Sequence, residues 1–378
     1  MNTFTPRSDR ADVMIIGGGI VGSAIALGLA ERGQRVIVLD EGDRAHRAAR
    51  ANFGLVWLQS KGDGMPAYMR WTRRSTDLWP ELSRRLLDMT GINVEYRKKG
   101  GVYFCLSDTE FETRRRKVAH MRSQADVFDT EMLDRAALEG LMPGVRFGRS
   151  VVGASFCPHD GDANPLRLLQ ALHTALDRLG VDHRVESPVM EISHRGGCFI
   201  ARTPQGQIEA ARVVVAAGHG SAPLAEALGL PAPIRTERGQ IIVTERVRPF
   251  LPLPASGIRQ TADGTVLIGS SKENVGFDDR TTVAVGARMA NRALQVLPEL
   301  STLRINRTWS GFRVLTPDNH PVYAESQRHP GAFVALCHSG VTLAAAHAGD
   351  FAEAIAQGRL GGFLDQFHAE RFDVRSAA

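Results

Sequence analysis

Lysine is scarce in this chain. Among 378 residues there are five, Lys61, Lys98, Lys99, Lys117 and Lys272, so 41 of the 46 basic residues are arginines. These are interleaved with 41 acidic residues, which leaves a net charge of +5. Dispersed arginine without a basic stripe argues against nucleic-acid binding. The densest basic run, Arg114, Arg115, Arg116 and Lys117, follows Glu110 and Glu112 and reads as the wet face of a helix. Cysteine is scarce too. Cys105, Cys157, Cys198 and Cys337 lie far apart with no C-x-x-C pair, which excludes a zinc or iron–sulfur site built from local spacing and suits reduced thiols.

Long hydrophobic runs are almost missing. Residues 13–30 are apolar apart from Ser23, but Gly17, Gly18, Gly19 and Gly22 interrupt them. Glycines there would break a spanning helix, and no basic segment with a small-residue cleavage site flanks the run in the usual order. Neither a membrane span nor a targeting segment is expected. With 43% hydrophobic and 23% charged residues the composition is that of a folded globular protein, long enough for two or three units of roughly 150 residues.

What is present begins with a βαβ pattern. Residues 13–16 read as a buried strand, residues 20–32 as a helix ended by Gly33, and residues 36–39 as a second strand closing on Asp40. Gly17-x-Gly19-x-x-Gly22 lies at the first strand–helix junction, where the glycines allow a tight turn, close approach of a pyrophosphate and close helix–strand packing. The helix N-terminus offers free N–H groups to a diphosphate, and Asp40, 18 residues past Gly22, suits a ribose hydroxyl pair. NAD and FAD share this fingerprint.

Further along, a helix is expected over residues 67–89, a strand over 101–106, and then two charged helices up to the turn at Met142-Pro143-Gly144. Asn164-Pro165 marks a helix start. Residues 213–218 read as a buried parallel strand meeting a turn. An antiparallel meander follows over residues 240–244, 257–260 and 266–269, with Asp263-Gly264 as its hairpin turn.

Four more segments carry a resemblance: Asn52-Phe53-Gly54, the run Val215 to Ser221, Trp309-Ser310-Gly311-Phe312-Arg313 with Thr316-Pro317-Asp318, and His338 to Leu343. Together with the glycines they resemble the D-amino-acid oxidase (DAO) superfamily of FAD enzymes over almost the whole chain. Residues 51–57 and 338–344 resemble most one branch, the β subunits of opine oxidases and D-hydroxyproline dehydrogenases and the related cyanide synthase flavoprotein.

The resemblance implies an α/β fold: a Rossmann-like FAD-binding domain of glutathione-reductase type with an inserted substrate domain on a mostly antiparallel sheet. The expected division is 11–66, 149–225 and 305–378 for FAD and 67–148 with 226–304 for substrate. It implies FAD contacts at Gly17, Gly19, Ile20, Val21, Gly22, Asp40, Glu41, Asn52, Phe53, Gly54, Val189, Ala217, Gly218, Gly311, Arg313, Ser339, Gly340, Val341, Thr342 and Leu343. Arg313 is the expected carboxylate ligand, with Arg259 and His338 as further substrate contacts.

The implied reaction is oxidation of the C–N bond of a D- or secondary amino acid, of D-proline, D-hydroxyproline or opine type, by hydride transfer to flavin N5. No metal and no general base are assigned. The implied partners of such a catalytic subunit are a second flavoprotein and a small cysteine-rich iron–sulfur subunit, in the cytoplasm or peripheral to the inner membrane. The alternatives are a self-contained glycine- or sarcosine-type oxidase using oxygen, a flavin-holding scaffold, and a nicotinamide enzyme.

Overall fold

The computed structural model describes residues 10–42 and 47–372. Strand Arg10–Ile16, helix Ile20–Ala30 and strand Val36–Leu39 follow one another with short connections, as the apolar pattern dictates. The two strands pair in parallel, Val13 against Val36 through Ile16 against Leu39. The sheet runs in the order Val322–Glu325, Ala332–Leu336, Gly206–Val215, Arg10–Ile16, Val36–Leu39, Asp182–Arg184. Its central strands are parallel and buried on both faces, which is why they read as continuous Val/Ile runs. Glu191–Arg195 and Cys198–Thr203 extend the first half of Gly206–Val215 as an antiparallel meander.

One apolar cluster fills the face between this sheet and the helices Ile20–Ala30, Pro66–Thr90, Pro165–Arg178 and the C-terminal helical stretch. A second covers the other face. The helix Ile20–Ala30 has nine of its eleven residues buried, and this position in the core accounts for its uniform hydrophobicity. Among the described residues no helix is long and apolar enough to cross a membrane.

The second sheet is antiparallel and built on the long pair Arg235–Arg246 and Ile305–Leu315. Thr265–Gly269 and Ile258–Gln260 extend it. Bridges from Val102 and Ile258 to Ala255 join it to a three-stranded group, Gly101–Cys105, Gly153–Cys157 and Glu131–Asp134. Two strands therefore pair outside the segments the sequence division gave them: Gly153–Cys157, from 149–225, and Ile305–Leu315, from 305–378, both belong to this sheet. Strand periodicity shows that a segment is a strand and leaves its non-local partner open.

Two local readings can be checked directly. Asn164 caps the helix Pro165–Arg178, its Oδ1 accepting from Leu166 N and Arg167 N at 3.2 Å each. Removal of that acceptor by Asn164→Ala is expected to cost about 1 kcal/mol, read as a small fall in the denaturation midpoint with FAD content unchanged. The basic run departs from expectation. Arg115 and Arg116 are exposed, but Arg114 is 6% exposed. Its guanidinium donates to Gln59 O and Oε1 and to Ser155 Oγ and lies over the Tyr103 ring, so its donors are satisfied inside the protein.

Candidate active site

The site lies where the two sheets meet, at the C-terminal ends of the parallel strands, the usual ligand position in such sheets. Gly17 has φ +111, and a Cβ there would fall 2.4 Å from Ala216 O. At Gly22 a Cβ would fall 1.9 Å from Gly17 O. Protein atoms thus account for both glycines. Gly19 differs: among the described residues, its chain neighbours aside, the nearest atom to its absent Cβ is 3.9 Å away, so its side is open there and its smallness leaves room for a ligand. The first-turn N–H groups of Ile20, Val21 and Gly22 have no intrahelical acceptor. This open turn and its donors fit a dinucleotide diphosphate.

Asp40 sits beside the turn, accepting from Gly18 N at 2.7 Å through Oδ2 and from Gly42 N at 2.8 Å through Oδ1. Glu41 pairs with Arg47. Ala217 and Gly218 follow the strand Gly206–Val215 at the same edge, and Gly218 has a positive φ of 57. Val189 is partly buried against the second cluster. It precedes the strand Glu191–Arg195, whereas the sequence pattern places a strand-like run over residues 188–192.

The C-terminal helix starts at Gly340, with Ser339 as its N-cap. A Cβ on Gly340 would stand 3.1 Å from Val21 Cγ2, so the two helix N-termini converge. Thr342 Oγ1 accepts from Trp57 N at 3.1 Å and donates to Leu55 O, tying this start to the segment after Gly54. Tyr68 donates to Ser339 Oγ at 2.8 Å. Asn52 Oδ1 accepts from Gly54 N at 2.8 Å, and Phe53 packs on Ile241, Val243 and Leu267 of the second sheet.

These segments form one wall of a cavity of about 1440 Å³. Asn52, Phe53, Ser339, Val341 and Thr342 line it on one side, and Glu237, Gly269 to Lys272, Gly311 and Arg313 on the other. Arg313 is firmly held. Nη1 donates to Glu237 Oε1 at 2.9 Å and Nη2 to Ser270 Oγ at 2.5 Å and Ser271 O at 2.8 Å.

His338 also lines the cavity, with Nδ1 3.3 Å from Lys61 Nζ. Burial, aided by Lys61, Arg313, Lys272 and Arg235, pushes its pKa well below the usual range, so the ring is neutral.

Arg259 lies apart from the cavity lining and is 3% exposed. Its Nη1 donates to Asp162 Oδ2 at 3.1 Å and to Ala163 O at 3.3 Å. Asp162, 1% exposed, also receives Arg97 Nε at 3.1 Å and Nη2 at 2.8 Å. The Arg259 guanidinium is thus engaged through Nη1 by a buried carboxylate, a pairing that the side chain's place on the meander does not reveal.

The sequence reading also missed Lys61 and the acceptors that clamp Arg313. For Lys61 a signal existed: one of five lysines in an arginine-rich chain, in the turn Ser60-Lys61-Gly62.

A glycine-rich strand–helix turn, an acid just past the next strand and a cavity against an antiparallel sheet define a dinucleotide-binding protein. The chain belongs to the DAO family of FAD-dependent oxidoreductases, whose family model matches residues 12–354; it is an enzyme of the kind that acts on carbon–nitrogen bonds. It is 41% identical to an opine oxidase subunit of Agrobacterium tumefaciens over 97% of this chain and 99% of that protein. Its identity to the Rhizobium meliloti protein of the same name is also 41%, with the same coverage. Among solved structures, glycine oxidase from Geobacillus kaustophilus superposes with a TM-score of 0.87 at 25% identity, covering 96% of this chain and 98% of that one.

Proposed function

We propose that this flavoenzyme oxidises the C–N bond of a D- or secondary amino acid, of D-proline, D-hydroxyproline or opine type, as the catalytic subunit of a hetero-oligomer. The observation that carries this reading is Arg313, held in the cavity wall opposite the segments 52–54 and 339–343. The likeness to proteins named as subunits of an opine oxidase supports the substrate type and the subunit role.

Gly19 and the first-turn N–H groups would hold the FAD diphosphate, Asp40 the ribose, and the backbone of residues 339–343 the flavin. Bound FAD supplies a two-electron acceptor for the carbon that bears nitrogen. Everything else is binding and orientation. Glu237, Ser270 and Ser271 fix the guanidinium plane before substrate arrives, so little side-chain entropy is lost when a carboxylate docks. Ser270 Oγ accepts from Arg313, which leaves its own O–H free to donate to that carboxylate. The cations around His338 disfavour a neighbouring ammonium, so they promote the neutral amine that oxidation needs.

Anaerobic mixing of the FAD-loaded protein with amino acids, imino acids and opines tests the reading through loss of oxidised flavin absorbance. Bleaching by none of them would overturn it. Arg313→Met is expected to raise KM by about tenfold or more, the loss of a charge-assisted hydrogen-bond pair, with bound FAD retained; unchanged kinetics would discard the carboxylate role. Peroxide release by the isolated chain would favour a self-contained oxidase. Co-purification with a second flavoprotein and a small cysteine-rich iron–sulfur chain would favour the hetero-oligomer. The widely separated cysteines are in keeping with a cytoplasmic setting, free or peripheral to the inner membrane.

A further inference from the structure

The helix Pro66–Thr90 holds the segment beside the FAD turn through one of its faces. Tyr68, Ser75 and Trp79, spaced by seven and four residues, stand on that face. Ser75 Oγ donates to Thr342 O at 2.7 Å and accepts from Ala346 N at 3.1 Å, and Trp79 Nε1 donates to Thr342 O at 3.0 Å. Those two grip backbone. Tyr68 alone of the three reaches a side chain, donating to Ser339 Oγ at 2.8 Å. Both hydroxyl groups belong to residues that line the cavity, Tyr68 at 2% exposed and Ser339 at 6%.

Ser339 is an N-cap serine that does not cap. A serine in that place ordinarily accepts from a backbone N–H of the first turn, and Ser339 makes no such bond. Its oxygen is turned to Tyr68 instead. The sense of that bond follows from acidity: beside an aliphatic hydroxyl a phenol is the stronger acid and the weaker acceptor, so Tyr68 gives its proton to Ser339. Burial raises the Tyr68 pKa above its usual range against the pull of Ser339, so the phenol stays protonated. Ser339 is then left with a proton of its own, which among the described residues meets no acceptor.

That proton lies on the FAD side of the cavity. A Cβ on the next residue, Gly340, would stand 3.1 Å from Val21 Cγ2, in the first helical turn after the glycines. An oxidised flavin ring meets its surroundings mostly with acceptors, its ring nitrogens and two carbonyl oxygens, N3–H being its one donor. Electrons entering the ring raise the negative charge on those acceptors, so a hydrogen bond given to them strengthens on reduction.

We propose that Tyr68 is a positioning residue for the flavin: by occupying Ser339 Oγ it presents the Ser339 O–H to an acceptor atom of the ring and makes reduction easier. The role concerns the cofactor and stands apart from the choice of substrate.

The midpoint potential of the holoenzyme, measured against reference dyes, tests it. Ser339→Ala is expected to disfavour two-electron reduction about tenfold, a fall of about 30 mV, with FAD content retained. Ser339→Thr, which keeps the hydroxyl, should stay near the native value. Tyr68→Phe should lower the potential by a large part of the same amount, because Ser339 is then free to turn and cap the helix. The double variant should fall no further than Ser339→Ala alone, since Tyr68 acts through Ser339. A tie that only stabilised the fold would lower the denaturation midpoint and leave the potential unmoved. Should Tyr68→Phe yield no folded holoenzyme, 3-fluorotyrosine at that position takes its place: a more acidic donor polarises the Ser339 O–H further and should raise the potential. An unchanged potential in Ser339→Ala, a Tyr68→Phe loss that adds in full to that of Ser339→Ala, or no response to the fluorinated phenol would each overturn the proposal.

Anaerobic mixing with amino acids and opines separates this from the catalytic reading. Potentials that shift as described, with no flavin bleaching by any amine, retain the role of Tyr68 and remove amine oxidation. Bleaching with potentials unmoved in the variants does the reverse.

Discussion

Replacing Gly19 with valine is expected to give a folded protein that purifies colourless. The backbone there, φ −70 and ψ −178, is extended and open to any residue. Among the described residues, its own chain neighbours aside, no atom comes nearer than 3.9 Å to the new Cβ, so the βαβ unit should keep its stability. The branched side chain instead fills the open side of the turn, and FAD affinity should fall by about 100-fold or more, about 3 kcal/mol of binding. Gly22→Ala gives the opposite pattern. Its Cβ would meet Gly17 O at 1.9 Å, an overpacking of backbone against backbone that should cost about 3 kcal/mol of folding or more. Denaturant unfolding of the apoproteins beside FAD titration separates the two. A Gly19→Val protein that binds FAD like the native chain would remove the turn as the diphosphate site.

Asp162→Ala should be the most damaging single change away from the FAD turn. Asp162 is the shared acceptor of Arg259, 3% exposed, and of Arg97. Its loss leaves a buried guanidinium without a counter-ion, for which about 3–5 kcal/mol is the usual cost. The damage is also strategic. Arg97 Nη2 reaches Gln260 O at 2.7 Å, and a Cβ on Gly54 would stand 3.0 Å from Arg259 Cζ. The cluster therefore joins the second sheet to the Asn52-Phe53-Gly54 segment. Chemical denaturation should show the loss, and Arg259→Met, which removes the buried cation, should partly rescue Asp162→Ala. An Asp162→Ala protein as stable as the native chain would show that the cluster contributes nothing to holding the second sheet in place.

The contrast between Arg313 and Arg259 shows what could be read in advance. Both are arginines on strands of the second sheet. Arg313 is singled out by the run Trp309 to Arg313 and does line the cavity. Arg259 has only its place on the meander, and its side chain is engaged by Asp162, 97 residues away in sequence. Arg114 is a similar case: its neighbours in the chain are exposed charges, and its partners Gln59 and Ser155 come from other segments.

The dinucleotide half was legible in the order of residues alone. A strand, a glycine turn, a helix and an acid within about 30 residues interact with near neighbours in the chain, so spacing and side-chain size carry the information. Folding in three dimensions settled the rest: which strands complete the second sheet, that Arg259 pairs with a buried carboxylate while Arg313 lines the cavity, and that Lys61 reaches the cavity beside His338. Those outcomes depend on charge pairing and desolvation between residues far apart in the chain, and no local pattern encodes the distance between them.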